Sequence, residues 1–268
     1  MDIVIFGILW VLLTGVAEWG VHDWVMHGTY YITASNTAVI SQDAFNFLLF
    51  AIAPIVVFVV LAIFYPAVRF HARRGETGEA PVQKRFNPVM VWTWILVSFF
   101  FNVFVWVHPT ASGLQAFWNA QTAYADSNPL IVHVYGRQWE WIYDYPQYGI
   151  SQAVDKNGED ILVLPVNRPV KFILTSGDPF HAYDSRVDVI HSFWIPAFGV
   201  KWDVIPGETR TITIVPNKIT STAENPRVRV QCAEVCGAGH PYMITDLRIV
   251  SASDFAKWVA WEKAHPAD

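Results

Sequence analysis

The sequence predicts a membrane-anchored all-β protein, in which N-terminal transmembrane helices precede an external sandwich or barrel of short strands. Three observations lead there. The 268 residues are 53% hydrophobic and only 15% charged, with a positive mean hydropathy, which is the composition of the membrane class. The long apolar runs lie almost entirely in the first 110 residues. The remainder alternates polar and apolar residues and holds most of the charges, as a soluble domain does. A net charge of −5 and the lack of a dense Lys/Arg tract exclude a basic nucleic-acid footprint, so the expected partners include membrane lipid and no nucleic acid.

The organisation that follows has three parts: residues 1–43 as an N-terminal hydrophobic anchor segment with an external loop, 44–110 as a transmembrane hairpin around a cytoplasmic basic loop, and 111–268 as an external domain closed by a C-terminal helix. The first apolar run, Ile3 to Ala17, is shorter than the ~20 residues a bilayer span needs and is flanked by Met1 and Asp2 without a positive charge. It reads as a retained anchor, spanning or interfacial, rather than a cleaved signal. Trp19, Trp24, Tyr30 and Tyr31 crowd its end as aromatic side chains do at headgroup level. His22 and His27 are five apart, a spacing that does not stack them on one helix face, so they read as interfacial polar residues. Ala44 to Val68 and Val89 to Val107 contain no charge and are transmembrane spans. Arg69, Arg73, Arg74, Lys84 and Arg85 between them place that loop in the cytoplasm, and hence the C-terminal domain outside.

His108-Pro109-Thr110 begins a connector with some helix that runs to Pro129. Strands are expected at Ile131 to Tyr145, Ile161 to Val166, Val170 to Leu174, Thr209 to Val215, Val228 to Cys232 and Ile244 to Val250, separated by Gly, Pro, Asn and Asp turns. The tail from Asp254 to Ala264 carries Phe255, Trp258, Val259 and Trp261 at helical spacing, with Ser253 as N-cap.

The chemistry is concentrated in Gln231-Cys232-Ala233-Glu234-Val235-Cys236-Gly237-Ala238-Gly239-His240-Pro241-Tyr242-Met243. Two thiols, an imidazole and a thioether form a soft N/S donor set that suits copper rather than magnesium or calcium. A mononuclear blue-copper loop would supply one cysteine. A second thiolate lets both sulfurs bridge two metals and share charge between them, provided that another histidine arrives from elsewhere. His191, in Asp188-Val189-Ile190-His191-Ser192-Phe193, is the best candidate. The alternative for two isolated cysteines in an exported domain is a disulfide. The pattern C-x-x-C-H is absent, so no haem is expected in this chain. His133 and His181 read as ordinary polar residues.

The C-x-x-x-C-x-x-x-H-x-x-M loop, the D-V-I-H-S-F segment and the run Gly136-Arg137-Gln138-Trp139-Glu140-Trp141-Ile142-Tyr143-Asp144-Tyr145 resemble subunit II of cytochrome c oxidases over essentially the whole chain. The resemblance implies a cupredoxin-like Greek-key β-barrel outside the transmembrane helices. It also implies a dinuclear copper (CuA) centre held by His191, Cys232, Cys236, His240, Met243 and the backbone carbonyl of Glu234, with the Glu234 side chain ligating a magnesium ion shared with subunit I. Trp139 takes the position of the electron-input tryptophan on an electron-receiving strand. Glu140, Asp144 and Asp188 become candidates for docking the donor, cytochrome c or a similar one-electron carrier, although the family usually has an aromatic residue where Glu140 stands. The implied activity is passage of electrons to haem in subunit I, where O2 is reduced to water with proton pumping, with subunit III a further partner.

Two departures stand out. Relatives place a carboxylate before the Trp-Thr pair near the proton-uptake path, whereas Asn87, Pro88 and Val89 precede Trp92-Thr93 here and the nearest acids are Glu76 and Glu79. The N-terminal anchor is also extra. Competing readings are a quinol oxidase subunit II, disfavoured by the intact ligands, a nitrous oxide reductase, disfavoured by length, and a membrane-anchored copper-delivery or storage protein. The lack of a mitochondrial-style presequence points to a prokaryotic plasma membrane with the copper domain on the periplasmic side, and the mitochondrial inner membrane is the alternative.

Overall fold

The computed structural model describes residues 1–27, 32–71, 87–124, 127–177 and 189–267. The chain divides into two compact units, Met1–Thr29 with Asp43–Leu114 and Tyr30–Gln42 with Gln115–Asp268. The segment read as an external loop of the anchor therefore has its last part in the second unit.

In the first unit, apart from the start of α2, α1 (Asp2–His27), α2 (Asn36–Arg69) and α3 (Pro88–Val105) are the helices long and apolar enough to cross a membrane among the described residues. α1 continues well past Ala17. Glu18, Gly20, His22 and Asp23 interrupt the apolar run but not the helix, and at 1.5 Å per residue its 26 residues reach about 39 Å, enough for a hydrocarbon core of ~30 Å. His27 lies beside Asp23 at 3.1 Å, one turn back. α1 runs antiparallel to α2. Trp10 Nε1 donates to the Pro54 carbonyl at 2.9 Å, Phe6 meets Phe58 and Tyr65 edge-on, and Tyr65 Oη and Arg69 Nε both donate to Asp2 Oδ1, at 3.1 and 3.0 Å. α3 opens on a strong cap: the Asn87 side chain accepts from the amides of Val89 and Met90, with Pro88 at the first position. It passes into a π turn, Trp106–Ala111, where His108 leaves helical dihedrals ahead of Pro109. The expected connector then proves to contain a full helix, α4 (Ser112–Thr122). Tyr30, Tyr31, the loop from Arg73 to Arg85, and Glu76 and Glu79 lie outside the described residues.

In the second unit, ten strands form two sheets among the described residues: β1 (Leu130–Arg137), β2 (Glu140–Asp144), β3 (Ile161–Pro165), β4 (Val170–Ser176), β5 (His191–Ile195), β6 (Val200–Val204), β7 (Thr209–Ile214), β8 (Thr220–Ser221), β9 (Arg229–Cys232) and β10 (Ile244–Val250). One sheet has the order β2-β1-β4-β7 and the other β3-β10-β9-β5-β6, with β8 also on β10. The sheets do not close on each other by backbone pairing, so the expected barrel is an open, two-sheet cupredoxin-like arrangement. Burial alternates along β1, β4 and β10, as one-sided strands require. The inward residues, among them Val132, Val134, Phe172, Leu174, Leu247 and Ile249, form one core. Each such side chain contributes about 1.5–3 kcal/mol through burial.

Two expectations are corrected and two further strands appear. Ile131 to Tyr145 is a hairpin rather than one strand: β1 and β2 pair antiparallel, with Arg137 opposite Glu140, and the chain reverses at Gln138 and Trp139. The apolar pattern runs through the turn because one face of Trp139 packs on a loop while its edge stays exposed. β6 and β8 carry no strong β-branched run and are held by their neighbours, β5 and β10. The closing helix, α5 (Ala252–Ala264), is capped by Ser251, whose side chain accepts from Asp254 N at 3.1 Å, not by Ser253.

Residues 34–41 belong to this unit structurally. Ala34 N donates to the Ala197 carbonyl at 2.8 Å, Ser35 and Thr37 hydroxyls donate to the Phe198 carbonyl at 3.2 and 2.8 Å, and Ser41 donates to Gly199 O at 2.9 Å. They thereby satisfy the tight turn that links β5 to β6, where Gly199 has φ +69°.

Candidate metal centre

β5 and β9 are antiparallel neighbours in register, with Phe193 opposite Cys232. His191, the first residue of β5, therefore stands beside the end of β9, although 41 residues separate it from Cys232. From Cys232 the chain loops to β10. The loop is pinned at one end by Cys232 N donating to Met243 O at 3.1 Å and Ala233 N donating to Ser192 O at 2.9 Å, and a short 3-10 turn, His240–Tyr242, returns it.

Cys232 and Cys236 are both free and buried, with their Sγ atoms 3.8 Å apart, far beyond the ~2.05 Å of a disulfide. His191 Nδ1 lies 3.7 Å from Cys232 Sγ, and His240 Nδ1 lies 3.6 Å from Cys236 Sγ. Met243 Sδ is 3.9 Å from Cys236 Sγ, and the Glu234 carbonyl oxygen is 3.2 Å from Cys232 Sγ. The donor atoms of His191, Cys232 and Cys236 all fall within 4.8 Å of one another. Two central sulfurs, an imidazole at each end and two weaker donors outside them fit a soft metal pair. Burial, then the neighbouring His240, pushes His191 down to about 4, and burial, then Cys232, pushes the Cys236 thiol up to about 12.

Trp139 sits against this loop. Its Nε1 donates to the Cys236 carbonyl at 3.1 Å, an oxygen that also receives Gln138 Nε2 at 2.5 Å. Its ring covers Gly239, and the residue is still 38% exposed. The Glu234 side chain is exposed, and so are the apolar Val235 and Tyr242 of the same loop and Ile244 at the start of β10. The acids proposed for docking are less available. Glu140 pairs with Arg137, and Asp144 faces His133 at 3.5 Å in the cross-strand pair, with burial, offset by His133, raising its carboxyl pKa. His133 thus has a specific partner that its position in the sequence did not suggest. Asp188 and His181 lie outside the described residues. Gln138, Gly136, Gly237 and Gly239 were not singled out from the sequence, because their roles arise only where the β1–β2 turn meets the β9–β10 loop.

The fold and site define a membrane-anchored, cupredoxin-like protein with a buried cysteine–histidine cluster arranged as metal ligands are. Comparison with known proteins sharpens this. The sequence pattern described as "Cytochrome C oxidase subunit II, periplasmic domain" matches residues 130–250. A probable cytochrome c oxidase subunit 2 of Rickettsia prowazekii is 30% identical over 80% of this chain and 66% of its own length, and the cytochrome c oxidase subunit 2 of Synechocystis is 28% identical over 96% and 82%. The solved periplasmic domain of oxidase subunit II (CoxB) from Bradyrhizobium japonicum is 31% identical, covers 50% of this chain and 94% of that domain, and superposes with a TM-score of 0.40. The chain belongs to the cytochrome c oxidase subunit II family. It spans 65–66% of the length of the Rickettsia relatives.

Proposed function

We propose that this chain is the electron-input subunit of a cytochrome c oxidase. It accepts electrons from cytochrome c or a similar one-electron donor at its outer face and delivers them to the haem of subunit I, which reduces O2 to water with proton pumping in a complex that includes subunit III. The observation that supports this reading is the pair of free thiols 3.8 Å apart, flanked by His191 and His240 Nδ1 at 3.7 and 3.6 Å. His191, Cys232, Cys236, His240, Met243 and the Glu234 carbonyl would hold two copper ions. Copper bound there supplies a one-electron carrier whose charge is spread over both metals, which keeps ligand rearrangement small.

The remaining roles belong to the chain's own groups. Trp139 bridges surface and metal loop, so a donor docked on its exposed edge is separated from the Cys236 carbonyl by a single indole. Val235, Tyr242 and Ile244 offer an apolar rim to be desolvated by a partner. The exposed Glu234 carboxylate is free to ligate a magnesium ion shared with subunit I. The basic loop after Arg69 orients the copper domain outward, toward the periplasm of a prokaryotic plasma membrane.

The test is copper analysis with electron paramagnetic resonance on the full chain. Two coppers per chain sharing one unpaired electron are expected. One copper or none would sink this reading, and Cu(I) alone without a mixed-valence signal would favour the copper-delivery reading.

A further inference from the structure

We propose that Gly136 and Trp141 set the ring orientation of His191, a positioning role that rests on the reading of His191 as a copper ligand. His191 is fully buried, and its Nδ1 faces Cys232 Sγ, which leaves Nε2 as the nitrogen turned away from the sulfurs. A metal-binding histidine ordinarily donates that second N–H to a carboxylate, carbonyl or water, and this hydrogen bond fixes both tautomer and ring plane. Here Nε2 has no hydrogen-bond partner among the described residues, and neither has the buried Nε1 of Trp141.

A wall of rings holds the imidazole instead. Trp141 meets His191 at 5.8 Å between centroids with planes at 63°, and Phe193 backs Trp141 at 5.4 Å and 80°. Gly136 lies directly across the β1–β2 pair from Trp141. A Cβ there would come within 2.9 Å of Trp141 Cζ3 and 3.2 Å of His191 Cδ2. Backbone, indole and imidazole are thus packed without slack, and shape does what an outer hydrogen bond does elsewhere. The need is physical: imidazole rotation about χ2 is a broad, shallow torsion, and a turned ring would take Nδ1 away from the sulfurs. Trp139 and Trp141, two apart in one hairpin, then serve the pocket differently, the first at its surface and the second behind its buried ligand.

The test compares Gly136→Ala, Trp141→Phe and the double variant in the full chain, loaded with copper. Gly136→Ala drives a methyl group against both rings. It is expected to shift the copper hyperfine pattern, the absorption bands and the midpoint potential, and to weaken copper binding about 10-fold, as loss of outer support does at other metal sites. Trp141→Phe removes the Cζ3 edge and loosens the ring, broadening the same signals. Combined, the smaller ring makes room for the methyl, and the spectrum and affinity return toward wild type, a coupling that a double-mutant cycle reads directly. A role in folding alone would lower the Tm of the copper-free chain while leaving the potential and spectrum of the loaded chain as they were. That result, or a double variant no better than Gly136→Ala, overturns the proposal. A wild-type chain that binds no copper overturns the functional reading and this proposal with it.

Discussion

The indole of Trp139 rests on Gly239 so closely that a Cβ at the glycine would stand 2.3 Å from Cδ2 of the ring. The same ring donates from Nε1 to the Cys236 carbonyl at 3.1 Å, so its position relative to the metal loop is defined by one hydrogen bond and one missing side chain.

Gly239→Ala should therefore displace Trp139 while sparing every proposed copper ligand. Displacements of about 1 Å cost on the order of 100-fold where a reaction depends on close approach. The expected result is electron uptake from a soluble donor slowed at least 10-fold on that scale, with the copper signal retained. Stopped-flow reduction alongside electron paramagnetic resonance checks it. Unchanged uptake would show that electrons do not depend on this ring.

The turn between β5 and β6 depends on residues that lie far away in sequence. Thr37→Val removes the 2.8 Å hydrogen bond to the Phe198 carbonyl at little change in shape, and leaves that oxygen to Ser35 alone. A loss of about 1 kcal/mol is expected, read by denaturant unfolding of the copper domain in the full chain. Thr33→Val, one residue outside the clamp formed by Ala34, Ser35, Thr37 and Ser41, serves as the control.

The cap of α5 separates two serines two residues apart. Ser251→Ala should destabilise the helix by about 1 kcal/mol, the usual value for an N-cap, whereas Ser253→Ala should be nearly neutral. Equal effects would contradict the observed acceptance from Asp254 N by Ser251.

Glu262 is buried on α5, where its Oε1 accepts from Val154 N at 3.0 Å. Burial, offset by the Val154 amide and Trp258, raises its carboxyl to about 7 from 4.5. Because the folded state holds the proton more tightly than the unfolded chain, stability is highest below pH 4.5 as far as this group is concerned, and falls as pH rises toward 7. Glu262→Gln should remove that slope and raise the Tm at pH 8 by about 2–4 °C, the shift that ~1 kcal/mol gives a domain of this size. A thermal-melt series from pH 4 to 8 decides it.

Much of the chain was legible in one dimension. The uncharged runs at Ala44 to Val68 and Val89 to Val107 could only be apolar helices, because their composition leaves no polar face. The turn residues separating β-branched runs marked β3, β4, β7, β9 and β10 for the same local reason. Less visible were elements whose stability is borrowed. β6 forms because β5 offers it a partner, and β8 because β10 does. The helical half of α1 beyond Ala17 survives its charges because backbone hydrogen bonds do not depend on hydrophobicity. The reversal at Gln138 and Trp139 was hidden because the apolar residue in the turn is covered by a distant loop.

The metal pocket divides in the same way. Cys232, Cys236, His240 and Met243 are close in sequence, and their spacing alone determined a soft donor set, because chain connectivity forces them together. Bringing His191 to the other side of the sulfurs, seating Trp139 on Gly239, closing Trp141 against the buried imidazole, pairing Glu140 with Arg137 and attaching residues 34–41 to the β5–β6 turn were decided only by tertiary structure. Each is a contact between segments that meet through sheet register and side-chain volume, quantities that exist only once the strands have packed.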